Sequence, residues 1–361
     1  MGRTNLLVTA VAVLAMLLGA CGGGEPAAGG DAADDGSEAA GGSEAAAPEG
    51  DLRFTYVSPD PLGVNSFLVM GETGTQDAGE RFGAEIEVLE SQDPTTRAEN
   101  VRAAVDSGSD VVVLLGFEFN DIVTDVAPDA PDTDFLIVDQ CLEELPPNVH
   151  CAVFREYEGA YLAGVEAGLL TESNQLGAIG ALDIPFLHRY TDAFAEGARS
   201  VNPEVEVTTL WVGGDNPFAD PARAKEQALA LAADGVDHIM AATAGGNLGV
   251  FEAAQEQDAF AYGVDVNQCP LAPGHVVDNV IKRVDVAIVE SMQAILDGAE
   301  SNVVTYGLAE EGLGLSSFAG EGQAEECVIN DRPEVFEQVG EVRQQIIDGE
   351  VTVADPMAAA G

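Results

Sequence analysis

Apolar and polar positions along most of this chain fall into two alternating kinds of block. Short runs of Val, Ile, Leu and Phe, closed by Asp, Gly or Ser, give way to longer stretches whose apolar residues recur at helical spacing. The short runs predict strands at 54–58, 85–91, 110–116, 134–140 and 150–154. After a helix from Tyr157 the pattern restarts, with strands at 176–182, 205–212, 237–243 and 260–265. Near-continuous apolar runs joined by helices are what a parallel sheet covered on both faces requires. The expected fold class is therefore α/β: two doubly wound parallel-sheet domains in series, with further strands and helices left at the C-terminal end. Such sheets bind ligands outside the carboxyl ends of their strands. That rule nominates residues 58–60, 116–121, Asp139, Asp183, 245–249 and Asp265, as two rims facing each other across a cleft.

The N-terminal end breaks the pattern. Arg3 is followed by the apolar stretch "LLVTAVAVLAMLLGA" and then Cys21, in the sequence Leu18-Gly19-Ala20-Cys21. The run has the length of a signal-peptide core and lacks a basic stop-transfer flank. It is expected to be a lipoprotein signal peptide over 1–20, with Cys21 becoming the lipidated first residue and the only contact with the membrane. Residues 21–50 then turn to Gly, Ala, Ser, Pro and acids, which cannot bury enough apolar surface to order themselves. As a flexible tether they would reach roughly 30 Å. The remaining body, 51–361, suits two domains rather than one core.

Charge narrows the partners. Lys plus Arg number 14 against 63 Asp plus Glu, a formal net charge of −49. Without a basic patch to release counterions, nucleic acid is not an expected partner. The acidity is read as solubility and is no evidence about a ligand. Beyond Cys21 the cysteines are Cys141, Cys151, Cys269 and Cys327, an even count in an exported chain, with three possible disulfide connectivities. Cys141–Cys151 would close a short loop, leaving Cys269–Cys327 by elimination. No CxxC spacing exists and the four histidines are scattered, so no metal or other cofactor is expected.

No catalytic signature is present: no GxSxG elbow, no HExxH and no phosphate loop ending in Gly-Lys-Ser/Thr. "ATAGGNLG" (242–249) comes nearest to a dinucleotide fingerprint, but Ala244 replaces its first glycine. The turn is read instead as a helix start at which Gly245 and Gly246 let a small ligand approach. Lys282, one of only two lysines, lies in an apolar run shortly after Asp265. A carboxylate accepting from two adjacent hydroxyls, beside an ammonium that donates back, would clasp the 2′,3′-diol of a ribose. A plain ion pair between two strands fits the same positions equally well. Phe67 and Phe218 are the aromatics nearest the expected cleft, one in each half, and could stack on a planar base or simply pack in the core. Trp211 competes for that role, but its place within an apolar strand points to the core. Asp121 could accept from a base N–H or serve as a helix-start acid, and His188 is expected at the rim.

Taken together, "GFEFNDIVTDVA" (116–127), "FREYEGAYLAG" (154–164), "LGAIGALDIP" (176–185), "GGNLGVFEAA" (245–254), "GVDVNQ" (263–268), "NVIKRVDVAI" (279–288) and "YGLAEEGLGLS" (306–316) resemble the basic-membrane-protein group of ABC-transporter lipoproteins, which includes purine nucleoside receptors. The resemblance covers the body from Phe54 to about Val353. It implies a type I periplasmic-binding-protein fold, two lobes joined by hinge crossovers, with 51–155 plus about 283–316 in the first lobe and 156–282 plus about 317–355 in the second. It further implies a monomeric extracytoplasmic receptor, lipid-anchored to the cell membrane, that passes a nucleoside to a permease and its ATPase. A free sugar or another polyol, or a sensing role, is the alternative. By resemblance the ribose-binding pair falls on Asp265 and Lys282, the base-contacting acid on Asp121, the stacking rings on Phe67 and Phe218, and the glycine-rich turn on Gly245 and Gly246. The chain departs from the group where its usual "DKSFN" reads "VNSFL" (64–68), and where Asn267 replaces an acid. The diol site is kept and the base pocket altered.

Overall fold

The computed structural model describes residues 52–63, 65–320 and 322–360. The signal peptide, Cys21 and the tether of 21–50 lie outside the described residues. Along the chain, β1 (Arg53–Ser58), α1 (Ser66–Phe82), β2 (Glu85–Glu90), α2 (Pro94–Asp106), β3 (Val111–Leu115), α3 (Asn120–Val126), β4 (Asp134–Val138) and β5 (Val149–Phe154) come first. A second series follows: α4 (Glu156–Leu170), β6 (Gln175–Gly180), α5 (Pro185–Val201), β7 (Glu206–Trp211), α6 (Pro221–Ala233), β8 (His238–Ala242), α7 (Asn247–Gln257), β9 (Phe260–Asp265) and β10 (Val276–Lys282). The chain ends with α8 (Val284–Leu296), β11 (Val303–Tyr306), β12 (Leu313–Leu315) and α9 (Pro333–Ile347).

Two six-stranded sheets result, in the orders β11-β5-β4-β3-β1-β2 and β12-β10-β9-β8-β6-β7. Every pairing is parallel except that of β12 with β10. The architecture is that of two parallel-sheet α/β lobes. Strand β3 shows why the sequence folds this way. Val111, Val113 and Leu115 join the large core, while Val112 and Leu114 pack with Val101 and Ala104 from α2, Val123 from α3, and Phe119 from the turn before α3. All five residues of β3 are buried, and each such side chain contributes about 1.5–3 kcal/mol relative to an exposed one. Leu114→Ala would cost about 2–5 kcal/mol.

The chain passes between sheets three times: from β5 to α4, from β10 to α8, and from β11 to β12. The passages are laced together, since Arg155 N donates to Tyr306 O at 2.8 Å and Arg283 N to Gly312 O at 2.9 Å. Strand β12 pairs with β10, so residues 313–315 belong to the second sheet. The sequence reading, which carries the first lobe on to about 316, sets that passage too late, because a three-residue antiparallel strand leaves no periodicity to read. Within the second lobe α4 and α5 touch backbone to backbone. A Cβ on Gly164 would run into Phe194 O, and one on Gly197 into Tyr161 O. That contact fixes the two helices whose first turns face the other lobe.

Candidate functional site

The carboxyl ends of the central strands meet between the lobes around a space of about 640 Å³, part of it open to solvent. Local sequence places each wall. Asn65 caps α1, its Oδ1 accepting from Phe67 N at 3.2 Å, and so sets Phe67 at the helix entrance with its ring in the cavity lining. Helix α5 supplies Phe186, Leu187 and Tyr190 from its first turns. The turns at Phe117–Phe119 and Pro217–Ala219 present Phe117 and Phe218, whose ring centroids lie 6.4 Å apart across the cleft. Asp139 just after β4, Asp265 at the end of β9 and Lys282 at the end of β10 complete the lining.

At the floor of the cavity Lys282 is buried, its Nζ donating to Asp139 Oδ1 at 2.7 Å. Asp265 Oδ1 is 3.8 Å away and Glu156 Oε1 3.9 Å. Four rings surround the ammonium: Phe67 at 4.6 Å, Phe154 and Phe186 at 5.7 Å, and Tyr190 at 6.0 Å from centroid to nitrogen. Burial opposes the charge on Lys282, but Asp139, Tyr190, Asp265 and Glu156 outweigh it and hold the ammonium well above its ordinary value. Burial pushes the Asp265 carboxyl up to about 6, against the pull of Lys282 and with the push of Asp139. Glu156 is raised to about 8 by burial and by Asp139, while Lys282 and Arg189 draw it down. Arg189 donates to Glu156 at 3.0 Å and grips Asp355 with two further bonds.

Of the residues singled out in the sequence, Phe67, Phe218, Asp265 and Lys282 line this one cavity. Asp121 does not; it is exposed in the first turn of α3, and its neighbour Glu118 lines the cavity instead. Gly116, at φ 97°, turns the chain after β3, so the residues of the turn face the cleft and the helix leads away from it. Gly245 and Gly246 are buried in a helical turn, and Ala242 and Ala244 form the wall there. Trp211 is half-buried at the edge strand β7, beside His188, with centroids 5.1 Å apart. His188 sits between Asp183 and Asp192 at 2.9 and 3.0 Å. The expected pairing of Lys282 with Asp265 needs revision, for the direct partner is Asp139. A signal for Asp139 exists in the sequence: "IVDQC" (137–141) and "GVDVNQC" (263–269) both place Val-Asp at the end of an apolar run and lead through Gln to Cys. For Glu156, Phe186 and Tyr190 no comparable signal is visible. Disulfides join Cys141 to Cys151 and Cys269 to Cys327. Among the described residues no group of three His, Cys, Asp or Glu is arranged to hold a metal ion. Nor is any helix there long and apolar enough to cross a membrane.

Comparison with known proteins agrees with this geometry. The Bmp family profile, described as "ABC transporter substrate-binding protein PnrA-like", matches residues 53–356. The "CD4+ T-cell-stimulating antigen" of Listeria monocytogenes is 28% identical over 287 residues, covering 74% of this chain and 76% of that one. The "ABC transporter nucleoside-binding protein BmpA" of Lactococcus lactis is 27% identical over 328 residues, covering 84% and 89%. Among solved structures, an ABC transporter solute-binding protein from Aeropyrum pernix superimposes with a TM-score of 0.73 at 27% identity, over 83% of this chain and 92% of that one.

Proposed function

The chain belongs to the family of PnrA-like ABC transporter substrate-binding proteins, and on that premise we propose that it captures a nucleoside, a purine nucleoside by its resemblance, between its two lobes. Members of the family are extracytoplasmic, membrane-associated binding proteins, not enzymes; they take up small molecules and work with permease and ATPase subunits. Cys21, acylated, would anchor this one to the membrane, and residues 22–50 would let the body reach its permease.

One observation carries the reading of the ligand. Asp265 lines the cavity, is buried, and has no hydrogen-bond donor within reach among the described residues; Lys282 stands 3.8 Å away, held by Asp139. A carboxylate on the cavity wall without donors in the protein must find them in whatever fills the cavity, and a vicinal diol supplies two. Its oxygens would in turn accept from Lys282, whose two remaining N–H groups point away from Asp139. Stacking of the base against Phe67 and Phe218 would add about 1–3 kcal/mol per ring.

Isothermal titration of the full-length protein in detergent against nucleosides, free bases and free sugars tests the proposal. Nucleosides are expected to bind at micromolar affinity or tighter, and free bases not at all. Free ribose binding as tightly as any nucleoside would instead make the protein a sugar or polyol receptor.

A further inference from the structure

The carboxyls that line the cavity are not equally committed. Asp139 is bonded to Lys282, and Asp60 is paired with Arg97 at 3.1 Å. Asp265 faces the proposed diol. That leaves Glu118, whose carboxylate folds back over Gly116, where a Cβ would collide with Oε2. It accepts from its own backbone N–H and has no side-chain hydrogen-bond partner among the described residues. Asn65 is also partly committed: Oδ1 caps α1, and its amide N–H groups have no partner among the described residues. Leu68, by contrast, is a buried apolar part of the wall. Where "DKSFN" would bring polar groups, this chain presents Leu68, and the side-chain polar groups of the lining without a partner among the described residues include the carboxyl at 118, the amide at 65 and, on the α5 wall, the Tyr190 hydroxyl.

Glu118 follows directly on Phe117, which meets Phe218 across the cleft. A base stacked on the Phe218 ring is apolar on its faces, and its edge must find polar partners in the wall. We propose that Glu118 reads the edge of the base and selects a 6-oxopurine, hypoxanthine or guanine, whose ring N–H it accepts while Asn65 donates to the exocyclic oxygen. Adenine presents a lone pair where the 6-oxopurine presents that N–H, so a carboxylate there rejects it. The inference rests on the nucleoside reading of the cavity.

Titration gives the selection a pH dependence. Burial pushes the Glu118 carboxyl up to about 7; Arg97 on α2 draws it down, and Asp60 after β1 and Asp139 after β4 push it further up. Above that pH the carboxylate prevails and favours the 6-oxopurine. Below it the carboxylic acid donates to a ring nitrogen, which suits adenine.

The test is titration of the full-length protein with inosine, guanosine and adenosine at about pH 8 and about pH 6, together with Glu118→Gln and Asp121→Asn. The wild type should prefer inosine to adenosine by about tenfold or more at the higher pH, with the ratio shrinking at the lower. Glu118→Gln should bring that ratio to within about threefold at both pH values and leave the ratio of ribonucleoside to 2′-deoxynucleoside unchanged. A wild-type ratio that does not move with pH, a ratio unaltered in Glu118→Gln, or one that collapses in Asp121→Asn would overturn the assignment of Glu118. Absence of any nucleoside binding by the wild type would remove the reading beneath it as well.

Discussion

Strands β4 and β9 hold the same place in the two sheets, third from the edge formed by β11 and β12 respectively. Each is followed by or ends in an aspartate in the left-handed region, Asp139 at φ 79° and Asp265 at φ 73°. Each aspartate leads into a loop tied down by a disulfide, Cys141–Cys151 in one lobe and Cys269–Cys327 in the other. Aspartate tolerates this backbone better than most residues, yet it remains a strained choice, kept at a cost of about 1 kcal/mol or more. The two ends differ in what their carboxylates touch. Asp139 is satisfied by Lys282 at 2.7 Å, while Asp265 stands 3.8 Å from the same ammonium with no donor of its own. One acid holds the cation in position across the lobes. Its counterpart is the carboxylate we propose for the solute.

Removing the shared cation should have the largest effect on this pair of ends. Lys282→Met leaves Asp139, Asp265 and Glu156 buried together without their ammonium, and should lower stability by about 3–5 kcal/mol in chemical denaturation at neutral pH. Partial recovery at about pH 5 is expected, because protonation then relieves the carboxyls. The disulfides come next. In the chain-entropy model the Cys269–Cys327 closure, with a sequence separation of 58, is worth about 4 kcal/mol, and the Cys141–Cys151 closure, with a separation of 10, about 3 kcal/mol. Double Cys→Ala variants should therefore differ in midpoint, with the second-lobe variant the less stable of the two.

A smaller effect sharpens the difference between the two acids through pH. The Asp265 carboxyl is raised to about 6 by burial, above its unfolded value. Its contribution to the stability of the empty protein is therefore complete below about pH 4 and is lost as pH rises through about 6, up to the order of 3 kcal/mol. A ligand whose hydroxyls donate to the carboxylate has the opposite sign, binding about tenfold more weakly for each pH unit below about 6. The rise in Tm on adding a saturating nucleoside should thus grow from about pH 5 to about pH 7. A rise independent of pH would separate Asp265 from the ligand.

Much of the fold is legible in the sequence because sheets buried on both faces write themselves as unbroken apolar runs. Strand β10 is harder to read. Its "VVDNVIK" places Asp278 and Asn279 inside a fully buried strand, where Asp278 Oδ1 accepts from Ser316 and Ser317 and Asn279 bonds Ser316 and Gln268. Such residues look like a loop until their distant partners are known. The same reason hides the Lys282–Asp139 bond, whose members are 143 residues apart. The carboxyl-end rule reaches Asp139 only as one nominee among several. Phe67, Phe218, Asp265 and Lys282 line one cavity. Asp121 is exposed and Glu118 lines the cavity for a local reason, the turn at Gly116 that precedes α3.

The most direct test is a double comparison at the sugar. Affinities of a ribonucleoside and its 2′-deoxy counterpart should be measured by titration for the wild type and for Asp265→Asn. A hydrogen bond to a buried carboxylate is worth about 1.5–3 kcal/mol, so the wild type should favour the ribonucleoside by roughly 10- to 150-fold. In Asp265→Asn that preference should fall to within about threefold. Equal affinities of the two ligands for the wild type, or a preference that survives the substitution unchanged, would contradict the assignment of Asp265 to the diol.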